Sequence, residues 1–305
     1  MSKFGKIKPP EGQAESAFKL LLRTKAVPSR GSLRNYKERL TQVAKNMPIY
    51  NIKGDIYDLS RETAAQYLEI RSQEIGQKTL DMERQALQVF MRANEVLEST
   101  EKLPVIKSEQ VQVLVSRAYT IEQVSMISNA QTAKFSLSTE IAHAAGLRAH
   151  EILTIRPVAD QPADERPALD SKWIGREGDI YTVTGKGGLT REVLIPGEIA
   201  SRLEDTKLDS PRLVTDRQVH YRQHYNIGGG KAWSNSFSGA TKRVLGWSQG
   251  GHGVRHSYAQ ERMDEVQQSL LDSGVKNDLV RDAALETTSQ EMGHFRPEIT
   301  ETYLR

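Results

Sequence analysis

Residues 179–196 read DIYTVTGKGGLTREVLIP, and this stretch decides the class of fold. Two β-rich runs, with Ile180, Val183, Val193 and Ile195 among their apolar positions, flank a glycine-rich turn. That pattern predicts a β-hairpin. Most of the surrounding sequence carries helical periodicity, so the expected fold is mainly α with a small antiparallel β-sheet.

On the N-terminal side, four amphipathic helices are expected. One covers 11–27 and ends before Pro28; a second covers 31–47 with Ser32 as its cap; a third follows Ser60, with Glu62 in its first turn. The fourth, over 79–98, spaces Leu80, Leu87, Phe90 and Leu97 along one face. Four such stripes can bury one another, which predicts a helical domain over 12–100 after a tail of residues 1–11. The polar stretch 101–105, with Pro104, reads as a linker to a second domain over 106–305. There, 108–119 and 120–146 read as helices. After Pro196 the chain is expected to be mostly helical, broken by NIGGGKAWSNSFSG at 226–239, whose three successive glycines predict a mobile loop.

Composition narrows the chemistry. Without a single cysteine, disulfides, thiolate metal sites and cysteine nucleophiles are excluded, so a nucleophile must be an oxygen or an amine. No apolar run reaches membrane-span length and the first residues lack a secretory pattern, so a cytoplasmic protein without membrane contact is expected. The net charge of +3 does not identify a nucleic-acid binder, but residues 1–50 hold 11 Lys and Arg against 3 Asp and Glu. A basic front suits a polyanion as well as a solvated surface.

Four places carry candidate chemistry: AAGLRAHEIL with Arg148 and Glu151, the hairpin turn with Lys186, GGHGVRHSYAQERM with His252, Arg255 and His256, and the closing MGHFRPEITETYLR with His294 and Tyr303. Each is ordinary alone, as a surface arginine, a permissive glycine turn, a packed histidine or an amphipathic tyrosine. Gly-Lys-Gly-Gly is not a Walker loop, whose spacing differs. His220 and His224 are four apart on a candidate helix, but no third ligand has fitting spacing, so neither a metal nor another cofactor is expected.

Taken in order, the G-L-R-x-x-E arginine, the hairpin lysine, His-x-x-Arg-His, Gly-His and a tyrosine nine residues later resemble the tyrosine recombinase (lambda-type integrase) family across the whole chain. The resemblance implies a helical core-binding domain at 12–100 that grips DNA, and a mixed, mainly helical catalytic domain at 106–305. It implies a site-specific recombinase, working as a homotetramer on two DNA duplexes, with DNA-bending accessory proteins as further partners. Tyr303 would be the nucleophile that forms a 3′-phosphotyrosyl intermediate. Arg148 and Arg255 would stabilise the pentavalent phosphorus, His294 would add a hydrogen bond, Lys186 would protonate the leaving 5′ oxygen, and His252 would accept the tyrosine proton. Glu151 would orient the basic side chains, and His256 would pack beside Arg255 or support the reacting groups from behind.

The sequence departs from the family pattern in three places. Arg255 and His294 are 39 residues apart, a long interval whose extra residues fall at 264–290, either a subunit contact or a lengthened surface hairpin. Met292 replaces a leucine of similar volume. Two residues follow Tyr303, where many relatives carry a docking tail helix, so either subunit contacts are made elsewhere, for example through Lys3, Lys6 and Lys8, or the chain is a truncated one. Alternatives remain open: a type IB DNA topoisomerase, a non-catalytic DNA-binding architectural protein, and an unrelated helical protein.

Overall fold

The structure, a computed structural model, describes residues 7–111, 115–164 and 166–305. The chain divides into two compact units, residues 1–113 and 114–305. Lys3 and Lys6 lie outside the described residues.

The first unit holds α1 (Pro10–Arg23), α2 (Arg30–Asn46), α3 (Arg61–Ser72) and α4 (Gln77–Ala93). Leu21, Leu40, Tyr67, Leu87 and Phe90 meet in its core, each large apolar side chain contributing about 1.5–3 kcal/mol when buried. Ser60 caps α3 as expected, in a reciprocal box with Thr63. α2 begins earlier than expected: Ser29 is the cap, and Ser32 already lies in the first turn, donating its backbone N–H to Ser29 Oγ. α1 stops at Arg23 because the chain reverses through Lys25 at positive φ. Leu97 is buried although α4 ends four residues before it, since Glu95 at positive φ turns it back onto the core. The stretch 101–105 read as a linker packs on this unit instead, with Leu103 buried and its N–H bonded to Gln88.

The expected helix over 108–119 does not form at its described residues, 108–111 in the first unit and 115–119 in the second; its remaining residues lie outside the description. The 120–146 stretch splits into α5 (Ile121–Asn129) and α6 (Ala133–Ala144). A three-stranded antiparallel sheet follows, built from β1 (Arg156–Pro157), β2 (Asp179–Thr184) and β3 (Thr190–Ile195) in that order. The β2–β3 hairpin is the one expected from 179–196, with Tyr181 opposite Val193 and Val183 opposite Arg191.

After α7 (Gly197–Glu204) the chain departs from the expected helices and makes a second hairpin, β4 (Lys207–Asp216) and β5 (Val219–Tyr225). It turns through Arg217 and Gln218, both at positive φ, without the Asn-Gly that usually marks such a turn. His220 and His224 therefore sit on a strand, where His220 meets Thr215 and His224 lies 3.6 Å from Asp160. The expected mobile loop at 226–239 is largely α8 (Gly230–Leu245). Its glycines serve close packing: a Cβ on Gly228 would fall 2.2 Å from the Phe135 ring.

α9 (His252–Asp272) and α10 (Asn277–Glu291) form an antiparallel pair that contains the long 264–290 interval, sealed by Met263, Val266, Leu270, Val280 and Ala284. α11 (Pro297–Thr300) and a 3-10 turn at Glu301–Tyr303 complete the chain. Among the described residues, no helix is long and apolar enough to cross a membrane.

Candidate active site

Two helix endings of the same kind deliver two of the candidate residues. α6 ends with Gly146 at φ +59°, and the Leu147 N–H bonds back to Ala142; α10 ends with Gly293 at φ +69°, and the His294 N–H bonds back to Ser289. Both are glycine-terminated, left-handed helix ends, and the second is a full Schellman turn, with the Gly293 N–H also bonded to Gln290. The first projects Arg148 and the second His294. A side chain at Gly146 would also strike the Tyr258 ring, 2.5 Å from its Cβ.

The start of α9 supplies the third group. His252, Arg255 and His256 lie on its first turn and a half, so the His-x-x-Arg pair shares a face. Arg255 is fully buried; it donates to the Gly146 carbonyl, to Met292 O at 2.6 Å and to His294 Nε2 at 3.0 Å. It thereby ties both glycine turns to α9.

Glu151, fully buried, sits at the centre of the positive charge. Arg148 donates its Nη1 to Oε1 at 2.7 Å and its backbone N–H to Oε2 at 2.9 Å. Arg191 donates to Oε2 at 3.0 Å, and Arg255 Nη1 lies 4.0 Å from the same oxygen. Burial pushes the Glu151 carboxyl up, but Arg191, Arg255 and Arg148 outweigh it and hold it below the usual carboxylate range. Three guanidiniums face one carboxylate. The surplus charge borders a cavity of about 110 Å³ lined by Arg148, Glu151, Gly185, Lys186, Leu189, Arg191 and Gly293. Lys186 reaches it from the exposed β2–β3 turn.

Tyr303 lies among the histidines near Arg255. It is nearly buried, and its ring centre is 4.5 Å from that of His256, 5.1 Å from His294 and 5.5 Å from His252, with the Arg255 guanidinium 5.7 Å away. Its backbone carbonyl accepts from Gln260 on α9, and Thr300 Oγ1 meets His294 Nδ1 at 2.8 Å. Burial, then the positive charge of Arg255, lowers His294 to about 3 and His252 to about 4. Both rings are neutral near pH 7. Arg255 is lowered to about 10 by burial and Arg148, and remains charged there.

All eight residues singled out from the sequence thus fall in one region of the second unit. Arg191 was missed. Its signal was present, because Arg191, Val193 and Ile195 share one face of β3 and an arginine among such neighbours needs a buried partner. Among the described residues, no group of three or more His, Asp or Glu side chains is placed to hold a metal ion.

No protein-family model matches the chain, and no curated protein matches it by sequence. Solved structures do match. A lambda integrase dimer bound to a COC′ core site aligns over 96% of this chain and 76% of its own, with TM-score 0.57 and 14% identity. A lambda integrase tetramer bound to a Holliday junction aligns over 98% and 78%, with TM-score 0.56 and 13% identity. The XerH site-specific recombinase bound to difH substrate, in a pre-cleavage complex, aligns over 99% and 94%, with TM-score 0.52 and 13% identity. The chain has the tyrosine-recombinase fold.

Proposed function

We propose that this protein is a site-specific tyrosine recombinase that cleaves and rejoins double-stranded DNA. The observation that carries the reading is the placement of Tyr303 against His252, His256, His294 and Arg255, beside a guanidinium surplus that one carboxylate leaves unbalanced. A scissile phosphate brought to this cluster would meet Arg148 and Arg255, whose planar forks match phosphate oxygens. The Tyr303 oxygen attacks phosphorus as His252 takes its proton. A 3′-phosphotyrosyl bond forms, the bond to the 5′ oxygen breaks, and Lys186 gives that oxygen a proton. Because the phosphotyrosyl bond conserves the energy of the broken one, the 5′ hydroxyl can reverse the step to rejoin a strand.

His294 enters in two stages. Its Nε2 accepts from Arg255, and an incoming phosphate, by its negative charge, favours the protonated ring, turning Nε2 into a donor to the same phosphate. The same proposal includes a homotetramer on two duplexes, DNA-bending accessory proteins, a second DNA-binding unit at 12–100 and a cytoplasmic setting.

The test is a denaturing gel for a covalent protein–DNA adduct on nicked duplexes taken from the gene's own flanks, run beside Tyr303→Phe. An adduct that disappears in the phenylalanine variant supports the reading. Tight, salt-sensitive binding with no adduct points to an architectural DNA-binding protein.

A further inference from the structure

Arg191 is 5% exposed on the buried face of β3, where an arginine is unfavourable unless its charge is compensated. Its compensation is specific. Nη2 donates to Glu151 Oε2 at 3.0 Å, and Nη1 donates to the backbone carbonyl of Glu291 at 2.9 Å. The first bond reaches the carboxylate that Arg148 grips and Arg255 approaches; the second reaches the last turn of α10, two residues before the glycine that aims His294. The Arg191 stem also lies against Gly293, whose missing Cβ would sit 2.4 Å from Arg191 Cδ. Its remaining donor, Nε, is buried without a partner. Both ends of the guanidinium are therefore committed to protein groups.

We propose that Arg191 is a positioning residue for the cleavage site, setting the relative placement of Arg148, Arg255 and His294 through Glu151 and the Glu291 carbonyl. This rests on the recombinase reading above. The physical case is that Glu151 alone cannot hold two arginines at a fixed spacing, since a carboxylate with a vacant lone pair can rotate toward either one. Arg191 occupies that lone pair from a rigid strand, and its second bond fixes the strand against the α10 terminus. A lysine offers a single ammonium and cannot bridge the two acceptors in this fixed geometry.

Glu151 also reports on the arrangement. It is faced by Arg148 from its own turn, Arg191 from β3, Arg255 from α9, Lys186 from the β2–β3 turn across the shared cavity, His150 beside it and His294 from the turn after α10. Arg191 is the strongest of the charges that hold its carboxyl low. Removing Arg191 raises that value, so protonation of Glu151 on acidification begins at higher pH.

The experiment compares wild type with Arg191→Met and Arg191→Lys, using single-turnover cleavage of nicked duplex, DNA affinity by gel shift, and the Glu151 carboxyl titration by 13C NMR, assigned by difference from Glu151→Gln. A misplacement of about 1 Å costs about 10²-fold in rate. The expected result is a loss of that order in Arg191→Met at nearly unchanged DNA affinity, with the Glu151 midpoint raised. Arg191→Lys should keep the midpoint near wild type and recover only part of the rate. Cleavage near the wild-type rate by folded Arg191→Met, or an unmoved midpoint, overturns the proposal. Should the methionine variant not fold, the lysine variant decides: a reduced rate supports positioning and a full rate overturns it. Wild-type protein that forms no adduct would count against the recombinase reading, and the Glu151 midpoint would still decide whether Arg191 controls that carboxylate.

Discussion

Arg255 Nη2 lies 3.0 Å from His294 Nε2, joining the start of α9 to the turn after α10. A guanidinium can only donate, so Nε2 is the acceptor and the ring proton sits on Nδ1, facing Thr300 Oγ1 at 2.8 Å. His294 therefore orients Arg255 before it can serve any phosphate. His294→Ala removes this orientation and one donor, while Arg255 keeps the Gly146 and Met292 carbonyls. We expect the cleavage rate to fall about 10²-fold with little change in DNA affinity, the scale of losing one transition-state donor. Single-turnover kinetics beside a gel shift would check this; equal losses in rate and affinity would assign His294 to ground-state binding instead.

The surplus of guanidinium charge has a consequence for stability. Arg148, Arg191 and Arg255 face the single Glu151 carboxylate at close range, so an oxyanion entering the cavity relieves their mutual repulsion. Orthovanadate or phosphate should raise Tm, by an amount equivalent to about 2.7 kcal/mol when the ligand is a hundredfold above its Kd. Thermal denaturation against chloride at matched ionic strength is the measurement. Arg148→Ala should lose most of the increase, and a Tm that responds equally to both anions would mean simple screening.

How much of this was readable beforehand depended on where the decisive contact lay. The β2–β3 hairpin was legible because its apolar positions and its glycine turn agree locally, whereas Arg148 and His294 stood out only through their place in the ordered motif set, and the glycine-terminated helix ends that deliver them came from the structure. The second hairpin was not. Its turn residues, Arg217 and Gln218, give no local signal for positive φ, and β4 is largely exposed, so it lacks a clear apolar face. α8 was hidden by glycines whose reason is the approach of Phe135 and Leu153 from elsewhere in the chain. Arg191 fell between these cases: strand alternation marked its side chain as inward, but its partners, Glu151 and Glu291, are 40 and 100 residues away.

Histidine ionisation gives the protein a defined acid response. His294 is lowered to about 3 and His252 to about 4, while burial also lowers His150 and His256. Each has a folded value below the unfolded one, near about 6.5. The unfolded chain therefore binds more protons, and the stabilisation is complete above about pH 6.5 and declines as pH falls toward the folded values. Tm should drop between about pH 7.5 and about pH 5, ahead of most carboxylate titration. His294→Gln should flatten this slope more than His252→Gln, because His252 is exposed to solvent while His294 is half-buried. A pH-independent Tm over that range would show that these rings titrate normally.

Glu291 offers the sharpest test of what holds the α9–α10 pair to the site. It is 1% exposed; Oε2 accepts from Arg262 Nε at 2.8 Å and the Tyr258 hydroxyl at 2.9 Å, while Oε1 accepts from Arg262 Nη2 at 2.9 Å and the Trp173 N–H at 3.0 Å. Glu291→Ala leaves the buried Arg262 with only the Ile174 carbonyl and the half-exposed Glu265, and strands the Tyr258 hydroxyl. Breaking a buried pair by removing one partner costs about 3–5 kcal/mol. Urea denaturation should show a loss of that size, and combining Glu291→Leu with Arg262→Met and Tyr258→Phe should recover most of it, since the polar groups leave together. Arg191 bonds the main-chain carbonyl of residue 291, not the carboxylate, so the rate per folded molecule should suffer far less than the stability. A variant that stays stable yet loses cleavage would transfer Glu291 from holding the helices to placing the reacting groups.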